Sequence, residues 1–332
     1  MRLIESEVRR ATSACGMLVV TLLLASCGGG TTQNSFIPTR IIAFGDETSV
    51  IVDLQGDGNG SKYSVNATAS DTDPTLVCAS NPIWIQTLAT NYGGLVFPQC
   101  NPGPTPVANP TSRIRATFGA MATDLSGQID AQVAESGFQD GDLVTVLVGV
   151  NDVLAQYAQY PAVSEPTLTA NVEAAGAEVG NQVNRLADAG AKVIVTTIPD
   201  VGDSPYALAE KMAHIDTDRQ QLIFRLVARF NAGLRSTLTN DGHRIGLVTM
   251  DQLVESVVQF PGLDGFTNTT DGACDINQSL LTPPSILDCT GFTLIPNATG
   301  ASYLWADDRH LSSGGQLALG NLALSRARSN PF

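Results

Sequence analysis

Four apolar runs of strand length, separated by segments long enough for helices, constrain this chain more than any other feature. They are Arg40–Phe44, Leu143–Val148 (LVTVLV), Lys192–Ile198 (KVIVTTI) and Arg244–Met250 (RIGLVTM). The runs are continuous rather than alternating, so neither face is left for water. Parallel strands covered on both sides read this way. The segments ATDLSGQIDAQVAES, TLTANVEAAGAEVGNQVNRLADAG, TDRQQLIFRLVARFNAGLRSTLTN and SGGQLALGNLALSRAR predict helices, with Gly190 as a C-terminal stop for the second. Strands alternating with helices predict a three-layer α/β/α sandwich around a mostly parallel sheet. With 332 residues, 43% of them hydrophobic, the chain can build one large domain of this kind or two small ones.

Residues 50–112 and 261–304 break the alternation, being rich in Gly, Asn, Asp and Pro, and read as long loop insertions. Each carries a pair of cysteines, and proximity in the chain pairs Cys78 with Cys100 and Cys274 with Cys289. Zinc is the rival use of these thiols, but there is no CxxC and His214, His243 and His310 are scattered, so no metal site is expected. DGNGSKY offers Asp57, Asn59 and Ser61 at calcium-loop spacing. It places Lys62 where such a loop needs glycine, which favours a hairpin turn.

The amino terminus reads as a targeting segment. Arg2, Arg9 and Arg10 precede the apolar stretch GMLVVTLLLAS, which ends in Leu24-Ala25-Ser26-Cys27. This predicts a lipoprotein signal peptide over residues 1–26, lipidation of Cys27, a flexible tether over 27–37 and a folded domain over 38–332. The expected location is the bacterial cell envelope, with the outer membrane favoured because Gly28 rather than Asp follows the cysteine. A net charge of −14 and the lack of a basic stripe argue against a nucleic-acid partner.

Three short motifs carry possible chemistry. In WADDRHLSSGG, Asp307 stands three residues before His310, a spacing that lets a carboxylate hold the imidazole Nδ1–H and leave Nε2 free. The run LVTVLV ends in Gly149-Val150-Asn151-Asp152, at the sheet edge where open α/β proteins build their sites, and an Asn amide there can donate to a developing oxyanion. Gly119 precedes a predicted helix and offers a backbone N–H to the same end. Each motif taken alone also serves as an ordinary turn or surface loop.

In order along the chain, IIAFGDETSV, the glycine before a helix, GVND and the near-terminal D-x-x-H resemble the SGNH/GDSL hydrolase family, especially its exported lipases and esterases. NPIWIQTLATNYG, with Trp84, and TTIPDVGDSPYA add to the likeness, which runs from about Ile41 onward. The resemblance implies a flavodoxin-like sheet and hydrolysis of a small-molecule or lipid ester, with no cofactor. It also implies an oxyanion hole from Gly119 and Asn151, a general base at His310 and its orienting acid at Asp307.

One position departs from the family. Its nucleophilic serine follows Gly-Asp, and here Gly45-Asp46 is followed by Glu47. A carboxylate in that slot pairs with a protonated His310 and removes it as a base near neutrality. Three readings remain. Ser49 could be an alternative nucleophile, although two residues along a helical turn it should point about 200° away. Glu47 could itself be the base or nucleophile. Or the protein could be catalytically silent and bind a glycan or lipid.

Overall fold

The structure is a computed structural model and describes residues 36–103 and 105–332. The segment expected to be a signal peptide, most of the expected tether, and Cys27 lie outside the described residues. Five strands form the central sheet: β1 (Arg40–Gly45), β2 (Arg113–Ile114), β3 (Asp142–Leu147), β4 (Lys192–Thr196) and β5 (Ile245–Val248). They are parallel throughout and lie in the order β2-β1-β3-β4-β5, the flavodoxin-like arrangement. Four of them fall on the four apolar runs. The fifth, β2, is a two-residue edge strand with no hydrophobic run to announce it.

Among the described residues there are eight α-helices: α1 (Trp84–Asn91), α2 (Leu125–Glu135), α3 (Val150–Tyr157), α4 (Glu165–Asp188), α5 (Pro205–Ala213), α6 (Arg219–Thr237), α7 (Met250–Gln259) and α8 (Ser313–Ser329). The closely packed pair α4 and α6, joined by α2, lies together, while α1 packs on α8. Between them the strands are sealed: Ile41, Ile42, Phe44, Val144, Val146, Val193, Ile194 and Val195 have no exposed surface. Each such side chain contributes roughly 1.5–3 kcal/mol relative to exposure, which is why the runs carry no polar alternation.

Residues 50–112 are not loop throughout. They contain α1, whose Trp84, Ile85 and Leu88 are buried in the core, and two short antiparallel ribbons. Eight residues are too few for helical periodicity to stand out from a polar surround. In the first ribbon, Ile51–Val52 pairs with Ser61–Lys62, and Asp53 accepts the N–H groups of Gly56 and Gly58 across the turn. DGNGSKY therefore closes a hairpin. Lys62 is fully buried, its Nζ donating to the carbonyl oxygens of Cys78, Ser80 and Asn81 at 2.9, 2.7 and 2.9 Å. Burial pushes this amine down to about 7.

Cys78 is bonded to Cys100 and Cys274 to Cys289, with Cα separations of 5.7 and 5.9 Å. Both bridges staple segments that have little apolar core of their own. Replacing Cys274 and Cys289 together by serine, which opens a loop spanning 15 positions, is expected to lower the unfolding free energy by about 3 kcal/mol in urea titration. An unchanged urea midpoint would mean that packing alone holds this segment.

Candidate active site

At the carboxyl edge of the sheet the chain leaves β1 toward β2 on one side, while β3 leads on toward β4 on the other. The crevice between β1 and β3 is therefore the switch point at which such sheets take their ligands. Past β1, Asp46 caps a single 3-10 turn, Glu47–Ser49, its Oδ1 accepting the Thr48 N–H at 3.0 Å. The turn aims successive side chains in different directions. Glu47 faces the crevice. Ser49 is fully buried on the other side, where its Oγ accepts the indole N–H of Trp84 at 3.0 Å.

Past β3, Gly149 has φ +135°, and a Cβ there would stand 2.1 Å from the Phe230 ring. Only glycine admits both the torsion and the approach. The resulting bend starts α3 with Asn151 in its first turn, directed at the crevice. Gly119, at φ +74°, turns its own N–H the same way. Asp152, to which no role was assigned from sequence, holds this second segment: its Oδ2 accepts the Ala122 N–H at 3.0 Å. The signal was present in GVND, but a carboxylate that binds a backbone thirty residues away leaves no local trace.

These groups meet on one carboxylate. Glu47 Oε2 accepts the Gly119 N–H at 2.9 Å and an Asn151 Nδ2–H at 3.0 Å. Glu47 Oε1 lies 3.5 Å from His310 Nε2. That contact is an ion pair rather than a hydrogen bond, since Nε2 has no hydrogen-bond partner. On the far side of the ring, Nδ1 lies 2.7 Å from Asp307 Oδ2. Asp307 Oδ1 accepts the backbone N–H groups of Arg309 and His310, which folds the D-x-x-H into a tight turn. Ser312 then caps α8 by accepting the Gly315 N–H.

The electrostatics follow from this row of charges. Burial by itself would raise the Glu47 carboxyl, but the facing imidazolium and the N–H groups it accepts hold it down at about 2. Burial likewise would lower His310, yet Asp307 and then Glu47 raise it to about 10. Asp46 is driven the other way, to about 8, by complete burial and the neighbouring Glu47 charge. At neutral pH the site is thus an alternating row: Asp307 anionic, His310 cationic, Glu47 anionic.

The two oxygens of Glu47 occupy two chemically distinct positions. Oε2 sits where Gly119 and Asn151 would stabilise an oxyanion. Oε1 sits where a group exchanging protons with the histidine would stand. The structure thus brings Glu47, Gly119, Asn151, His310 and Asp307 together and leaves Ser49 outside. Among the described residues no cluster of His, Cys, Asp or Glu could hold a metal ion.

Beside His310 a cavity of about 580 Å³ opens, lined in part by Tyr63, Phe118, Tyr206, Ile276 and Ile286. Tyr63 stacks on Phe118 with ring centroids 5.1 Å apart, and its ring centre lies 5.9 Å from that of His310. None of these apolar residues was singled out from sequence, because they come from segments with no common motif.

Removing the negative charge with Glu47→Gln takes away one of the two anions that hold the His310 proton. In an NMR pH titration the His310 ring signals of the unaltered protein are expected to move only near pH 10. Those of Glu47→Gln should move at clearly lower pH. A midpoint near 6.5 in the unaltered protein would contradict the ion-paired row.

Comparison with known proteins adds the following. The family model for GDSL-like Lipase/Acylhydrolase matches residues 42–323. A putative GDSL-like lipase from Parabacteroides merdae ATCC 43184 is similar in structure at 12% identity and TM-score 0.45, over 90% of this chain and 99% of that one. An acetylxylan esterase from Geobacillus stearothermophilus aligns at 13% identity and TM-score 0.40, over 90% and 98%. A member of the lipolytic protein G-D-S-L family from Veillonella parvula DSM 2008 aligns at 10% identity and TM-score 0.41, over 86% and 96%. No curated protein matches the sequence.

Proposed function

Because the chain belongs to the GDSL-like lipase/acylhydrolase family, we propose that its crevice hydrolyses small carboxylic esters, with Glu47 in the position of the family's serine acting through water. One observation carries the reading: two hydrogen-bond donors and a histidine–aspartate pair converge on the two oxygens of a single carboxylate. An acyl-transfer site needs those groups around its reacting carbon.

In the proposed reaction the ester carbonyl oxygen takes the place of Glu47 Oε2 between the Gly119 N–H and the Asn151 amide. Glu47, still ionised, accepts a proton from water, and the hydroxide adds to the carbonyl carbon. The His310 imidazolium gives its Nε2 proton to the departing alcohol as the C–O bond breaks. The Glu47 acid then returns its proton to the imidazole, and the carboxylic acid leaves. Asp307 holds the ring in place and stabilises its cationic form. Both ions are over-stabilised for this work: a carboxyl held at about 2 is a weak base and an imidazolium held at about 10 a weak acid. Turnover is accordingly slow.

A second reading has its own observation. Glu47 Oε2 already satisfies both donors, so a ligand must displace it before its carbonyl can enter. If the side chain never yields, the protein is a silent member of the family that binds a lipid or glycan. Glu47→Ser discriminates. It vacates the donors and supplies a hydroxyl beside a histidine whose Nε2 no longer faces an anion and whose Nδ1 keeps Asp307. Hydrolysis of short-chain nitrophenyl esters is then expected to rise by about a hundredfold, the gap between a hole acting with water and a complete serine site being of at least this order. Activity in Glu47→Ser with none in the parent would support the silent reading. Inactivity of both would refute the ester-hydrolase reading.

The setting belongs to the same proposal: an envelope lipoprotein, held through Cys27 after removal of residues 1–26, with residues 27–37 as tether to the domain over 38–332. The basic start, the apolar run and Leu24–Cys27 support it. Cys27→Ser is expected to abolish radiolabelled palmitate incorporation and release the protein from the membrane fraction. Unchanged labelling would refute lipidation at this residue.

A further inference from the structure

We propose a second activity for the same groups: Glu47 opens small neutral epoxides as a nucleophile, through a covalent ester that His310 then hydrolyses. The activity goes beyond the ester-hydrolase reading and does not depend on it.

The placement of the two carboxylate oxygens carries the proposal. A carboxylate that attacks an acyl carbon makes an anhydride, but one that attacks a saturated carbon makes an ordinary ester. Once Glu47 Oε1 has formed such a bond, Oε2 is the carbonyl oxygen of that ester. Oε2 already accepts the Gly119 N–H at 2.9 Å and the Asn151 amide at 3.0 Å. Those donors therefore stand where negative charge develops when water adds to the Glu47 carboxyl carbon. An external ester must push Oε2 out of this position before it can react. A bound alkyl group leaves it there.

The charges select the leaving group. Glu47 is held at about 2 and His310 at about 10, so at neutral pH the pair supplies an anionic nucleophile and a cationic acid. Nε2 is buried without a hydrogen-bond partner, 3.5 Å from Oε1. In the first step Oε1 bonds to an epoxide carbon as the bond from that carbon to the ring oxygen breaks. The ring oxygen takes the Nε2 proton. A hydroxyalkyl ester of Glu47 and a neutral imidazole remain, with Asp307 2.7 Å from Nδ1.

In the second step the imidazole takes a proton from water, and the hydroxide adds to the Glu47 carboxyl carbon. The bond from that carbon to Oε1 breaks, and Oε1 leaves in the diol with the His310 proton. Glu47, now an acid holding one oxygen from water, returns its proton to the imidazole. The sum is epoxide plus water to vicinal diol. A halide would leave without a proton, and the imidazolium would then be unable to serve as the base. The cavity of about 580 Å³ beside His310 admits a small organic molecule to the pair. Tyr63 and Tyr206 line it with hydroxyls that carry no hydrogen bond, so a polar ring oxygen finds donors there besides His310.

The test uses the purified protein and propylene oxide. Propylene glycol is expected to form above the uncatalysed rate. With protein in molar excess in oxygen-18 water, the glycol of the first turnover should carry no label, while the peptide containing Glu47 gains one heavy oxygen. Glu47→Gln keeps the side chain's shape but not its nucleophile, and should lower glycol formation by about a thousandfold or more. Circular dichroism checks its folding. No glycol above the uncatalysed rate, label in the first-turnover glycol, or an unchanged rate in folded Glu47→Gln would overturn the proposal. Glycol formed by this route with no ester hydrolysis, even in Glu47→Ser, would overturn the ester reading and leave the epoxide activity standing. Ester hydrolysis without glycol formation would do the reverse.

Discussion

The in-register pairing of β1 with β3 is the constraint from which the rest of the site follows. Six successive pairs run from Arg40 against Asp142 to Gly45 against Leu147. At the amino end the register is pinned by a buried bidentate contact, Arg40 Nε to Asp142 Oδ1 at 2.8 Å and Nη2 to Oδ2 at 2.5 Å. A slip of one residue would separate that pair and turn every side chain of a doubly buried strand to the wrong face. With the register fixed, the residues after Gly45 and after Leu147 must emerge side by side. Glu47 and Asn151 are therefore neighbours although 104 positions separate them.

What those neighbours form is a row of alternating charges, hydrogen-bonded between Asp307 and His310 and in ion contact between His310 and Glu47. Asp307, His310 and Glu47 alternate in sign, and each charge is stabilised mainly by the next. Taking such groups from water costs several kcal/mol per ion, so a buried row persists only when every member is compensated. Here the backbone supplies part of the compensation, through the N–H groups of Gly119, Arg309 and His310. The length of the glutamate side chain lets one carboxylate reach the Gly119 and Asn151 donors with one oxygen and face the His310 imidazole with the other.

The segments outside the sandwich show how irregular chain is made rigid. Lys62 carries its amine into the interior and donates it to three carbonyl oxygens, tying the hairpin to the segment that leads into α1. Asn66 does the same between distant parts, its Nδ2 donating to the carbonyl of Leu287. A small second core, with Tyr63, Val65, Ala273, Ile286 and Ala306, joins the two irregular regions beneath the cavity. Ile286 of this core and Cys274 of the second disulfide both line the cavity wall.

Much of this was legible in the residues. Burial on both faces imposes continuous apolar runs, so β1, β3, β4 and β5 could be read directly, and the long helices between them followed from length and periodicity. Pairing of near cysteines also follows from local loop size. The short elements could not be read: β2 and α1 derive their stability from the core they join, not from their own composition. The resemblance already implied that Glu47 pairs with a protonated His310. Tertiary structure alone decided that its other oxygen takes both the Gly119 and Asn151 donors, because those contacts are set by strand register and by loops from distant places in the chain. It also decided that Ser49 turns inward to Trp84, and it assembled the apolar cavity. No local pattern encodes these outcomes, since each depends on distances between segments that the sequence orders but does not measure.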